Sequence, residues 1–113
     1  MNAKAIKINF LFLCFVFIYT SGVKAATRGE KLYTQNCMVC HADDGSSAMP
    51  GVSDLNENRA WITMDEKTLL SRLKKGIQKP GATMVMPAKG GNQSLTDKDL
   101  EEIIRYMRQT FFK

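Results

Sequence analysis

Two thiols and an imidazole stand together at Cys37-Met38-Val39-Cys40-His41, a C-x-x-C-H run. Thiols at this spacing share one turn of chain, where each can add to one vinyl group of a haem, and the imidazole that follows is placed to bind the iron. Three other uses of the run compete. A zinc site needs further strong ligands, yet His41 is the only histidine and the one other cysteine is Cys14, near the amino terminus. A redox dithiol belongs in a βαβ setting, and no segment here alternates like a strand. A structural disulfide would close too small a loop to stabilise much and would leave His41 without a use. The expectation is one haem c, covalently bound through two thioethers at Cys37 and Cys40, with His41 on the metal.

The second axial position then decides the chemistry, and with no second histidine it is methionine or open. Met38 lies within the attachment run, Met49 follows it closely before Pro50, Met64 sits at a predicted helix start and Met107 on a predicted core stripe. A ligand from the opposite side of a ring should come from a loop that can wrap around it, which leaves Met84 and Met86. Both point the same way in extended chain, because side chains repeat there every second residue. Pro87 holds Met86 extended, which favours Met86 over Met84. The alternative is that both merely pack against the macrocycle, as methionine does in irregular gaps.

Three helices are predicted to position these groups. Thr27 with Glu30, Thr63 with Glu66 and Thr96 with Asp99 each fit the capping box, in which side chain and backbone satisfy each other. The first helix is expected over about 28–36 and a central one over 64–75, carrying Leu69, Leu70 and Leu73 and ending at Gly76. The last is expected over about 97–109, with Leu100, Ile103, Ile104 and Met107 as an apolar stripe. Residues 43–57 and 77–95 read as loops rich in Gly, Ser, Pro and Asn.

Ahead of the first helix, Lys4 and Lys7 precede an apolar run from Ile8 to Tyr19, and Val23-Lys24-Ala25 offers small residues before a cut. This order reads as a cleaved secretory signal over Met1 to Ala25, and its apolar run falls well short of the roughly 20 residues that span a bilayer. Residues 26–113 form the single remaining domain, with no stable membrane insertion after cleavage. The formal charge of +5 from 16 basic and 11 acidic residues drops to +2 once Lys4, Lys7 and Lys24 leave. That is a weak basic footprint, and no nucleic-acid partner is expected. A domain this short needs a disulfide, metal or cofactor to complete its core, which the haem would supply.

The two motifs together resemble the class I cytochromes c, within them the bacterial cytochrome c5-like group, across essentially the whole mature chain. Met86-Pro87-Ala88-Lys89-Gly90-Gly91 is similar to that group's Met-Pro-Pro-Lys-Gly-Gly loop, whose methionine is the sixth ligand. The resemblance implies an all-α fold packed around one covalently bound haem, with Gly29 and Tyr33 of the first helix meeting Ile103 and Tyr106 of the last. It implies that the Pro50 carbonyl accepts a hydrogen bond from the haem histidine, and that Trp61 sits near a haem propionate, although simple core filling is the competing role. The chain departs from the pattern at Asn92-Gln93-Ser94-Leu95, where many c5-like proteins carry a second cysteine pair, and between His41 and Trp61, which is longer.

The function so implied is a soluble periplasmic one-electron carrier with His41/Met86 ligation, not an enzyme. The alternatives are a haem subunit of a larger oxidoreductase and, lacking any distal histidine or arginine in 83–88, less readily a haem enzyme or gas sensor. Lys74, Lys75, Lys79 and Lys89 would steer acidic redox partners toward the haem edge, or Lys74 and Lys75 simply complement the dipole of the central helix.

Overall fold

The computed structural model describes residues 24–111. The signal expected over Met1 to Ala25 lies outside them apart from Lys24 and Ala25, which are exposed coil. Five α-helical segments follow among the described residues: α1 (Arg28–Asn36), α2 (Met38–His41), α3 (Ala60–Thr63), α4 (Glu66–Lys75) and α5 (Asp97–Phe111), with a 3-10 turn at Ala88–Gly91 before α5. No strand occurs among these residues, and the one isolated bridge pairs Ile77 with Met86. The fold is all-α, as expected.

Two of the three predicted capping boxes form. At the start of α1, Glu30 N–H donates to Thr27 Oγ1 at 3.1 Å and Thr27 N–H to Glu30 Oε2 at 3.3 Å. At the start of α5, Asp99 N–H donates to Thr96 Oγ1 at 3.2 Å and Thr96 N–H to Asp99 Oδ2 at 3.0 Å. The third does not form. The central helix begins at Glu66, capped by Asp65, whose Oδ1 accepts from Thr68 N–H at 2.9 Å. Met64 is extended, and Thr63 ends the separate turn α3. Asp65 is itself a strong capping residue, standing two positions beyond the threonine, and its carboxylate also favours the positive end of the helix. Gly76 ends α4 at φ +80° as expected, while α5 runs two residues past Gln109 because nothing there breaks it.

The core forms where α1 crosses α5. A side chain at Gly29 would put its Cβ 2.3 Å from the Glu102 carbonyl oxygen and 2.8 Å from Tyr106 Cβ, so only glycine allows this approach. Tyr33, Tyr106 and Phe111 cluster beside the crossing with ring centroids 5.2 to 5.9 Å apart. Leu69 and Leu73 of α4 and Leu100, Ile103, Ile104 and Met107 of α5 are all buried, on the stripes predicted for them. Each such side chain contributes about 1.5–3 kcal/mol relative to leaving it in water. Polar ties fix the helices at their ends. Arg28 pairs with Asp99 between α1 and α5, Lys74 Nζ lies 2.8 Å from Asp97 Oδ2 between α4 and α5, and Arg108 donates to the Met64 carbonyl at 2.5 Å.

Candidate functional site

The attachment run is held as one compact turn at the end of α1. Cys37 N–H still bonds the Tyr33 carbonyl at 2.8 Å, then Cys40 and His41 N–H both donate to the Cys37 carbonyl at 3.2 and 3.0 Å. Cys37 and Cys40 form no disulfide with each other and are half-buried. Burial, with the neighbouring Cys40 second, pushes the Cys37 thiol up to about 11. Burial likewise pushes the His41 imidazole below its usual range, and the Ser53 main chain opposes that shift only in part. Neutral imidazole is the form that ligates a metal. His41 Nδ1 is buried and makes no hydrogen bond of normal geometry among the described residues.

These three residues line a cavity of about 200 Å³ that opens to solvent. Leu69 and Leu73 line it from α4, and Leu100, Ile103 and Met107 from α5. From the loop between α4 and the 3-10 turn come Ile77, Met84 and Met86. A mostly apolar chamber with two thiols, one half-buried imidazole and thioethers on its walls suits a haem: apolar walls for the macrocycle, soft and imidazole donors for iron, and an opening for charged edges.

Met86 is the better fixed of the two loop methionines. Ile77 and Met86 exchange main-chain bonds, 2.9 Å to the Met86 carbonyl and 3.0 Å from its N–H, and the Met86 side chain packs on the core. Gly76 makes this pairing possible, since a Cβ there would lie 2.7 Å from the Met86 carbonyl oxygen. Met84 lines the same cavity from the stretch before the bridge. Of the other methionines, Met64 also lines it, Met107 is buried on α5, Met38 is partly exposed, and Met49 lies outside the lining.

After Met86 the chain turns sharply, with Lys89 at φ 55° and Gly90 at φ 62°. Lys89 Nζ donates to the Leu95 carbonyl at 2.8 Å and to that of Gln93 at 3.3 Å, bracing the turn from within. A Cβ at Gly90 would sit 2.7 Å from the Asn36 carbonyl oxygen, and Asn92 Nδ2 donates to Asn36 Oδ1 at 2.9 Å. The loop that bears Met86 is thus docked on the residue preceding Cys37. Sequence reasoning missed Asn36 and Asn92, which lie far apart in the chain with no local pattern; the glycine pair was the only signal of a close approach.

Two further residues are expected near the haem, Pro50 and Trp61. Pro50 is exposed and outside the cavity lining; the main chain bearing on His41 is that of Ser53, farther along a loop longer than the family pattern. Trp61 is buried at the cavity wall, but its Nε1 donates to the Leu55 carbonyl at 2.8 Å, which spends its only donor on the protein itself. Among the four lysines, Lys74 is paired with Asp97 and Lys89 is tied to carbonyls, while Lys75 and Lys79 are exposed, Lys79 reaching Ser53 Oγ at 3.4 Å.

Comparison with known proteins points the same way. The family model described as cytochrome C oxidase, cbb3-type, subunit III matches residues 24–107. Cytochrome c-555 of Chlorobaculum tepidum is 34% identical over 85 residues, covering 73% of this chain and 73% of that protein. Cytochrome c-555 of Prosthecochloris aestuarii is 31% identical over 84 residues, 70% of this chain and 81% of its own. Cytochrome c6 of Pyropia yezoensis is 29% identical over 109 residues, 89% of this chain and 90% of its own. No solved structure matches the chain.

Proposed function

The chain belongs to the class I c-type cytochromes, whose cofactor is covalently attached haem c, and from that premise we propose that it is an exported one-electron carrier rather than an enzyme. One observation carries the reading: the C-x-x-C-H turn and the bridged Met86 open onto a single apolar chamber. Cys37 and Cys40 would hold the haem by thioethers, and His41 and Met86 would be its axial ligands. The bound haem supplies a one-electron couple whose potential is raised by His/Met ligation and by burial. The protein's part is to keep both ligands in place in either oxidation state. The bridge at Ile77, the Gly76 contact and the Asn36–Asn92 bond hold Met86, while the apolar walls exclude water.

Export fits the chemistry of the signal over Met1 to Ala25 and an oxidising, periplasmic destination for residues 26–113. No helix of the described residues is long and apolar enough to cross a membrane. Intact-mass spectrometry tests attachment and processing together: a chain beginning at Ala26 and heavier by one haem that survives denaturation is expected. A haem released by acid, or a chain retaining Met1 to Ala25, contradicts the reading. The description of the matching family model as an oxidase subunit favours one second reading, a haem subunit of a larger oxidoreductase. Size-exclusion chromatography of the native extract separates the two, the carrier eluting at its own small mass.

A further inference from the structure

We propose that Tyr33 is a positioning residue for His41: its buried hydroxyl holds the left-handed turn at Ala42 that directs the chain away from the histidine. The inference rests on His41 being the iron ligand. Tyr33 is only 1% exposed, its ring wedged between Tyr106 at 5.5 Å and Phe111 at 5.2 Å. From there Oη donates to the Ala42 carbonyl at 2.8 Å, with the His41 carbonyl a second, longer acceptor at 3.2 Å. Ala42 has φ 54° and ψ 178°, a backbone conformation close to one that glycine alone adopts freely. A residue with a Cβ stays there only if its surroundings hold it, and a hydrogen bond to its own carbonyl constrains ψ directly.

The chain past Ala42 folds back on the motif. Ala48 N–H donates to the Cys40 carbonyl at 3.0 Å, and Gly45 lies so close to the Phe111 ring that a Cβ would be 2.9 Å from Cγ. His41 is therefore the last residue of a turn whose exit is set by Ala42, and the only side-chain bond to the exit carbonyl comes from Tyr33 among the described residues. If the hydroxyl merely satisfied its own burial, the strain at Ala42 would be unrelated to it. If it holds the turn, removing the strain should remove the need for the hydroxyl.

The test uses the holoprotein and the variants Tyr33→Phe, Tyr106→Phe, Ala42→Gly and the Tyr33→Phe/Ala42→Gly double. Tyr106→Phe deletes a hydroxyl from the same aromatic cluster that makes no hydrogen bond among the described residues, and so controls for packing. Hydrogen exchange at the Ala48 amide reports opening of the turn, and the hyperfine-shifted haem methyl resonances of the ferric protein report the orientation of the His41 ring. Tyr33→Phe should speed Ala48 exchange about tenfold, the scale of one lost net hydrogen bond, and rearrange the methyl pattern. Tyr106→Phe should do neither, and Ala42→Gly should return the Tyr33→Phe protein toward the parent on both readouts. A Tyr33→Phe protein indistinguishable from Tyr106→Phe, or a double variant no closer to the parent than Tyr33→Phe, overturns the proposal. Failure of the ligand reading is separate: the parent's ferric spectrum would then lack hyperfine-shifted His41 ring signals, while Ala48 exchange would still decide whether the hydroxyl holds the turn.

Discussion

Met86 and Met84 are two residues apart on one cavity wall, yet only Met86 is locked by a two-bond bridge and backed by Gly76. Replacing Met86 by Ala should leave the iron open on one side, shift it toward high spin and lower its reduction potential, whereas Met84→Ala should keep the parent's absorption spectrum. The opposite pattern in the two variants reassigns the ligand. At this scale the gathering of Cys37, Cys40, His41 and Met86 on one cavity was legible, because the C-x-x-C-H spacing is local and a proline after Met86 restricts its backbone whatever the rest of the chain does. The bond made by the Tyr33 hydroxyl was not legible. It depends on where a carbonyl several residues away ends up, which follows from the path of the loop after His41 and leaves no mark in residue type.

The ends of the helices explain both what could be read at the level of elements and what could not. Thr27 and Thr96 cap as their spacing suggests, since a capping box needs only local contacts. The Thr63 signal was just as local but lost to Asp65, a cap of equal strength nearer the helix. Asp99 carries the most consequence of these groups. Bonds from Thr96, then the Arg28 guanidinium, hold its carboxyl down to about 2, against an ordinary 3.8. The folded chain therefore binds fewer protons at Asp99 than the unfolded chain does. Its contribution is present in full above pH about 4 and is lost as pH falls through about 2. Thermal unfolding of the holoprotein against its Asp99→Asn variant should show the variant less stable at neutral pH and the gap narrowing across that acid window. A gap that is constant with pH would mean that the carboxylate charge at the α1–α5 junction carries no stability.

For the molecule as a whole, the small charge of +2 expected once Met1 to Ala25 is removed leaves local clusters to guide encounter. Lys74 and Lys89 are committed to Asp97 and to the turn that follows Met86, so steering by this cluster would fall to the exposed Lys75 and Lys79. Reversing both charges should lower the rate of electron exchange with an acidic partner at low ionic strength and flatten its salt dependence, without moving the haem potential. Stopped-flow rates in which salt has no effect on the parent protein would instead favour docking through apolar surface. The helices that enclose the cavity were foreseeable from their apolar stripes, but the docking of the Met86 loop on Asn36 was not, because it joins residues 56 apart in sequence. That docking bears on the central claim, a chamber with both axial positions taken by the protein. Carbon monoxide added to the reduced protein tests it most directly. The account predicts an absorption spectrum of low-spin haem that carbon monoxide leaves unchanged at neutral pH, and a prompt shift to a carbon monoxide adduct would contradict it.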